Sequence, residues 1–422
     1  MSVLHKLATF TSLKIYSIPG MLNKKIIFLL PLILICICAT GQLTQSGKSG
    51  FNSIVSELEA ELQKDITDDT LAGSISIAIV HKNQIIWSKA FGYADKDNKT
   101  PADTSTIYRI ASLTKSFTAM AMMQLVEKGV LKLSDPVESY LPEIKNLKGY
   151  HEANKITFFQ LATHTSGLER EPHLENASKG TIQTWESKVL ECIPTTSVKT
   201  TPGKKYNYSN IGYAILGLAL ERAAKKPYMT LITDNIFAPL QMDNSFFIVP
   251  SDKMGKLAKG LVINSSGRLT LESSSSAYGY GLPAGGIYST PDDLLKFVMA
   301  NMGFPPLCNV DNRELMQKGV KPPLPFLKMS GIRVLSIFLF GEPKKIVRIA
   351  LHSKYGIGLS VCRYKDMYII EHSGLVPGYS SKFSFDKKSQ YGVAVLRNYT
   401  SGKTNLDLLS IDLLSKLKSL KD

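Results

Sequence analysis

The sequence predicts an α+β fold in which one sheet draws on both ends of the chain, each end also supplying a helix, with a mostly helical region between. Three observations lead there. Ile54, Leu58 and Leu62 have helical spacing and run into period-two alternation; a second strand-and-helix set closes the chain; and the segments between carry apolar residues at helical spacing. With 422 residues, 44% hydrophobic and 20% charged, the chain has the apolar material for a sizeable core and the composition of a folded protein.

Lys24 and Lys25 precede an apolar run over residues 26–37 and then Ala39-Thr40-Gly41, the order of a secretory signal peptide. The run falls short of the roughly 20 apolar residues of a membrane span. Residues 1–41 are therefore expected to be a signal cleaved after Gly41, with Met21 an equal candidate for the initiator. The chain is expected to be exported, to a periplasm or to the outside. Anchoring by an uncleaved signal or by lipid is the alternative, although Ile precedes both Cys36 and Cys38, where a lipidation signal needs a small residue.

Loss of Lys6, Lys14, Lys24 and Lys25 with the signal would lower the formal net charge from +15 to +11. The remaining lysines are scattered, without an arginine stripe or aromatic-basic alternation, so nucleic acid is not expected as a partner. Peripheral contact with an anionic envelope or membrane surface is compatible with the surplus. Cys192, Cys308 and Cys362, odd in number and far apart, form no disulfide framework or zinc pattern, and no metal or other cofactor is expected.

Residues 42–50 are polar and read as a linker, and residues 51–422 read as one catalytic domain. Ile75, Ile77 and Ile79 alternate with small residues, Lys82-Asn83 can turn, and residues 85–93 continue as a second strand, which makes a hairpin. Helices are expected over residues 114–128, ending at Gly129, and over 158–161, 211–224 and 290–301. The last of these opens with Thr290-Pro291-Asp292-Asp293: a cap, proline in the first turn, and acids at the positive end of the dipole. Residues 321–350, with Pro322-Pro323-Leu324-Pro325 and an apolar run at 334–340, read as an insertion or lid-like loop. Strands are expected at 368–373, 382–386 and 391–398, and an amphipathic helix at 406–420.

Ser112-Leu113-Thr114-Lys115 opens the first strong helix, and a spacing of three puts hydroxyl and amine on one face. Serine at its free pKa is a poor nucleophile, whereas a lysine made neutral by burial or a nearby cation can take its proton. The same Ser-x-x-Lys string recurs at Ser384 and Ser415, at a strand-turn junction and in a terminal polar tail, where a structural role fits better. Tyr208-Ser209-Asn210 supplies a hydroxyl that can pass a proton to a leaving group and an amide that can bond a substrate carbonyl and the lysine. His372-Ser373-Gly374 lies on an expected strand, where the imidazole can donate to a substrate carboxylate or tune Tyr208, and the glycine permits close backbone approach.

In that order, Ser112-x-x-Lys115, Tyr208-x-Asn210 and His372-x-Gly374 resemble the three motifs of class C β-lactamases and the related DD-peptidases and esterases. Longer strings strengthen the likeness: Leu161-Ala162-Thr163-His164-Thr165-Ser166-Gly167-Leu168, Thr201-Pro202-Gly203, Ala284-Gly285-Gly286-Ile287-Tyr288-Ser289 and Pro377-Gly378-Tyr379. The resemblance covers residue 51 to the C-terminus apart from the insertion. It implies a β-lactamase/DD-peptidase-like fold, a five-stranded antiparallel sheet flanked by the terminal helices beside a helical region, with the active site between them. It also implies Ser112 as nucleophile, Lys115 as its activator, Tyr208 as acid-base partner, Asn210 and His372 as orienting residues, and the N–H groups of Ser112 and Leu375 as oxyanion hole. The expected substrate is a small molecule or a peptidoglycan peptide: a β-lactam, a D-amino-acid peptide or an ester.

One departure matters: the third motif usually begins with Lys, and His372 would hold a carboxylate less firmly, which favours peptidase or esterase activity over fast lactam turnover. His164 is expected to be a structural loop histidine bonded to backbone. An α/β-hydrolase is excluded because no Gly-x-Ser-x-Gly occurs, and a zinc-protease helix because Lys155 stands four residues after His151. A non-catalytic protein binding peptidoglycan fragments on the same fold is the reading from a different class, and it gives no reason for Ser112, Lys115 and Tyr208 to occur together.

Overall fold

The hydrophobic stripe of the first helix sets the edge of the core. The structure, a computed structural model, describes residues 45–68, 73–263, 269–272, 279–320, 353–400 and 402–420. The expected signal peptide, the first residues of the expected linker and the expected insertion lie outside the described residues. Helix α1 (Gln45–Asp68) begins six residues before the expected domain start, so most of the segment read as linker is helical. Once a nucleus exists, adding turns costs little even for polar residues. Phe51, Val55, Leu58, Leu62 and Ile66 are buried along one face of α1.

Strands β1 (Ser74–His81), β2 (Gln84–Asp95) and the short β3 (Thr100–Pro101) follow, then β4 (Tyr108–Arg109). The helical region contains α2 (Thr114–Glu127), α3 (Phe158–Ala162), α4 (Trp185–Cys192), α5 (Asn210–Ala224) and α6 (Tyr228–Ile232). A small hairpin, β5 (Gly260–Ile263) with β6 (Leu269–Glu272), precedes α7 (Leu282–Gly285), β7 (Tyr288–Ser289), α8 (Pro291–Met302) and α9 (Val310–Met316). The chain returns to the sheet as β8 (Lys354–Tyr355), β9 (Ser360–Tyr364), β10 (Met367–Val376), β11 (Tyr379–Asp386) and β12 (Tyr391–Arg397), and α10 (Leu406–Lys418) follows.

The sheet is antiparallel, in the order β3-β2-β1-β12-β11-β10-β9-β8. It has eight strands rather than the expected five. The five long ones, β2, β1, β12, β11 and β10, are those the expectation named, and the additions are short strands of two to five residues at the two edges. Every residue of β1, β11 and β12 is buried, so both faces of the sheet centre are covered, with α8 and α10 packed on it. Helix α2 is buried on all sides from Thr114 to Leu125 and forms the axis of the helical region. Among the described residues no helix is long and apolar enough to cross a membrane. Cys192, Cys308 and Cys362 are all unpaired and buried.

Candidate active site

Ser112 sits in a 3-10 turn, Ala111–Leu113, that leads directly into α2, not in the α-helix itself. Ala111 just before it has φ +50°, a left-handed backbone that costs a residue with a Cβ about 1 kcal/mol. Tertiary contacts hold this turn: Ile110 N–H donates to the Ile287 carbonyl at 3.0 Å, and the Ile110 carbonyl accepts from Ser381 Oγ at 2.7 Å. On the α2 side, Thr114 Oγ1 accepts from Ile287 N–H at 3.2 Å and Thr118 Oγ1 donates to the Pro283 carbonyl at 2.7 Å.

Lys115, one turn on, has no exposed surface. Its Nζ lies 3.1 Å from Ser112 Oγ and donates to the Ala284 carbonyl at 2.7 Å. It also stands 5.0 Å from the ring centroid of Tyr208 and 5.7 Å from that of Tyr213. Burial holds the Lys115 ammonium below the ordinary lysine value; Tyr208 beside it works the other way, and Arg170 adds to the lowering. A neutral amine here can donate to Ala284 while its lone pair accepts the Ser112 proton, the two-bond pattern a general base needs.

Tyr208 is brought to this pair by two loops stitched together. The string at 161–168 and the loop at 201–210 exchange bonds: Gly203 N–H to the Thr165 carbonyl (2.7 Å), Asn207 N–H to the His164 carbonyl (2.8 Å) and Asn207 Nδ2 to the Leu168 carbonyl (2.6 Å). Gly167, at φ +79°, lets the Thr200 carbonyl pass where a Cβ would lie 1.9 Å away. His164 is wholly buried and accepts from Ser209 N–H through Nδ1 at 3.1 Å, while its ring lies 4.1 Å from that of Tyr208. Burial, chiefly, and then Lys115 hold its pKa well below the ordinary value, so it is a neutral backing for the Tyr208 loop, as expected of a structural histidine. Ser209 caps α5, accepting from Gly212 N–H at 2.9 Å.

Asn210, at the start of α5, points its Nδ2 at Glu171 Oε1, 2.6 Å away. Glu171 accepts a second bond from the buried Tyr280 hydroxyl. The amide expected to serve the lysine is therefore bonded to a carboxylate, and because a carboxylate only accepts, the amide orientation is fixed with nitrogen toward Glu171.

His372 and Gly374 share one face of β10. A Cβ on Gly374 would lie 2.2 Å from Ser381 Oγ and 2.3 Å from the Ile110 carbonyl, so the glycine lets β10 pass beside the serine turn. Leu375, the next residue, is 45% exposed. His372 Nδ1 donates to the Ser373 carbonyl at 2.9 Å, and in the neutral ring Nε2 accepts from the buried Tyr355 hydroxyl, also at 2.9 Å. The structure thus engages the imidazole with Tyr355, a partner the sequence did not indicate. Tyr355 packs between His164 (4.7 Å between ring centroids) and His372 (5.7 Å).

The sequence profile of the family described as Beta-lactamase matches residues 60–414. The chain belongs to this beta-lactamase family of serine hydrolases. Beta-lactamase-like protein 4 of Dictyostelium discoideum is 30% identical over 335 residues, 76% of this chain and 55% of that protein, so the chain spans little more than half the length of that relative. Among solved structures, the octameric penicillin-binding protein homologue from Pyrococcus abyssi aligns with a TM-score of 0.69 at 25% identity over 86% of this chain and 77% of that one. A class C beta-lactamase aligns with a TM-score of 0.66 at 20% identity over 89% and 97%, a likeness of fold. The family's fold accounts for the sheet read from the two chain ends.

Within that beta-lactamase frame, Ser112, Lys115 and Tyr208 come together as expected, and β10 passes beside the serine turn at Gly374. Sequence reasoning missed four contributors: the Ala284 carbonyl, the Arg170-Glu171 pair, Tyr280 and Tyr355. Two of them had a trace in the sequence. Ala284 opens a string already noted, and Arg170-Glu171 follow the string at 161–168 after one residue.

Proposed function

We propose that this chain is an exported serine acyl hydrolase of D-amino-acid peptides and esters, working through a covalent acyl-enzyme on Ser112. The observation that carries the proposal is the 3.1 Å approach of Ser112 Oγ to a fully buried lysine whose charge is disfavoured. Lys115 takes the Ser112 proton as Oγ attacks the substrate carbonyl. The resulting oxyanion is received by the N–H groups of Ser112 and Leu375. Tyr208 then passes a proton to the leaving amine or alcohol as its bond to the carbonyl carbon breaks. Water attacks the ester on Ser112 with the same groups reversed, releasing the acid and restoring the hydroxyl. Asn210 lies along the acyl part of the substrate, and His372 lines the opposite strand.

The engagement of His372 with Tyr355 supports ester or peptide cleavage over fast β-lactam turnover, since an imidazole with both nitrogens already bonded has no free donor for a lactam carboxylate. The basic-then-apolar N-terminal pattern supports export, and with it a small-molecule or peptidoglycan-peptide substrate. Intact-mass measurement after exposure to a fluorophosphonate and to a fluorescent penicillin tests the reading, with p-nitrophenyl ester and nitrocefin hydrolysis followed alongside. The expected result is an adduct on Ser112 that Ser112→Ala abolishes, with ester cleavage faster than nitrocefin turnover. An adduct that persists in Ser112→Ala, or none on the wild type, overturns it.

A further inference from the structure

We infer that Arg170 is a specificity-determining residue that binds a carboxylate carried on the acyl part of the substrate. The inference rests on the acyl-hydrolase reading for the bond cleaved, but not for the binding itself. The Arg170 guanidinium carbon lies 5.0 Å from the ring centroid of Tyr208, so one face of the group rests on the aromatic side chain nearest the serine–lysine pair. The side chain is 55% exposed. Its nearest carboxylate is Glu171, whose Oε1 stands 3.5 Å from Nε, outside ordinary hydrogen-bond length for a charged pair. Glu171 is committed elsewhere, to Asn210 Nδ2 at 2.6 Å and to the Tyr280 hydroxyl. Nη1 and Nη2 of Arg170 have no hydrogen-bond partner among the described residues, so the fork that matches a carboxylate is open to an incoming group.

The backbone holds this cation in register with the reaction. The Arg170 carbonyl accepts the Asn210 N–H at 2.9 Å, which keeps residue 170 beside Asn210, the residue proposed above to lie along the acyl part of the substrate. The charges facing it are few. Lys115 is buried with its charge disfavoured, and His164 is neutral, so neither competes for an anion. His372 has both ring nitrogens engaged, with the Tyr355 hydroxyl and the Ser373 carbonyl, and so has no free donor for a second anion. The cation is thus carried by the loop that follows the string at 161–168, against Tyr208, rather than by the third motif.

Two esters that differ only in charge read this out: p-nitrophenyl hydrogen glutarate, with a terminal carboxylate, and p-nitrophenyl valerate, neutral and of the same chain length. In the wild type kcat/KM is expected to favour the glutarate ester. Arg170→Gln should lower the glutarate-to-valerate ratio about tenfold, the scale of one hydrogen bond to a charged group, and Arg170→Lys should restore part of it. A ratio unchanged within a factor of two in Arg170→Gln overturns the inference. Binding of the same esters to the Ser112→Ala protein, followed by calorimetry, gives a readout independent of turnover. Preference for the anionic ester there, lost on adding Arg170→Gln, supports the site even if the wild type cleaves neither ester, a result that would sink the acyl-hydrolase reading alone.

Discussion

At the scale of single residues, Lys115 is where stability and activity part company. Burial disfavours its ammonium, so the folded state binds this proton less readily than the unfolded chain, whose lysine titrates near the ordinary 10.5. Its contribution to stability is complete above that value and is lost as pH falls toward the lowered native one. Lys115→Met, which keeps the length and removes the charge, is expected to leave the melting temperature at pH 7 unchanged or raised while slowing acylation roughly 10²–10⁴-fold. A large drop in melting temperature would show that the lysine serves the fold rather than the chemistry. In the wild type, acylation should rise with pH and level off below pH 10.5, since only the neutral amine can accept the serine proton; a rise that continues through 10.5 would contradict a lowered pKa. Ser112, Lys115 and Tyr208 were legible in the sequence because chemistry dictates both their type and, for the first two, their spacing. The Ala284 carbonyl was not, because every residue has one. Tyr355 was not, because its partner His372 is fixed by strand pairing across a segment with no pattern of its own.

At the scale of elements, β10 is positioned by an absence of side chain. Gly374→Ala would drive a methyl group into Ser381 Oγ and the Ile110 carbonyl, both within 2.3 Å of the new atom. Because Ile110 begins the serine turn, the expected outcome is a moderate destabilisation, about 1–3 kcal/mol, with a disproportionate loss of ester cleavage. Denaturant melts and kcat on the same preparation check it, and wild-type activity in that variant would show that β10 does not abut the turn. Helices and long strands were readable because their periods are carried by residues such as Ile75, Ile77 and Ile79, or by the cap at Thr290. The edge strands β3 and β8, two residues each, are too short to show a period, and the first turns of α1 are polar, so their helical state follows from the apolar stripe downstream.

At the scale of the whole molecule, a buried lysine of the sheet bridges it to the C-terminal helix. Lys382, almost wholly buried, bonds Glu371 (2.6 Å), Asp407 on α10 (2.8 Å) and Ser373 Oγ (3.2 Å). Burial would lower its pKa, but Asp407 and Glu371 outweigh that and hold it above the ordinary value, so its stabilisation is present below pH 10.5 and lost as pH rises through the native value. Lys382→Met strands two carboxylates and is expected to cost up to about 3 kcal/mol, read as a lower denaturation midpoint at pH 7; an unchanged midpoint would mean the cluster is balanced without its cation. The order of the sheet has another consequence. Strand β1 has β2 on one side, but its other side pairs with β12, Ile75 facing Arg397. While the polypeptide is being made, at roughly 5–20 residues per second, the first hairpin is complete long before its second neighbour exists. For a quarter of a minute or more, on the order of that rate, an open edge with the sequence Ser-Ile-Ser-Ile-Ala-Ile-Val-His is free to pair with another copy of itself. The last strand to be synthesised therefore closes the centre of the sheet, and a nascent chain that stalls before residue 391 carries a ready template for aggregation.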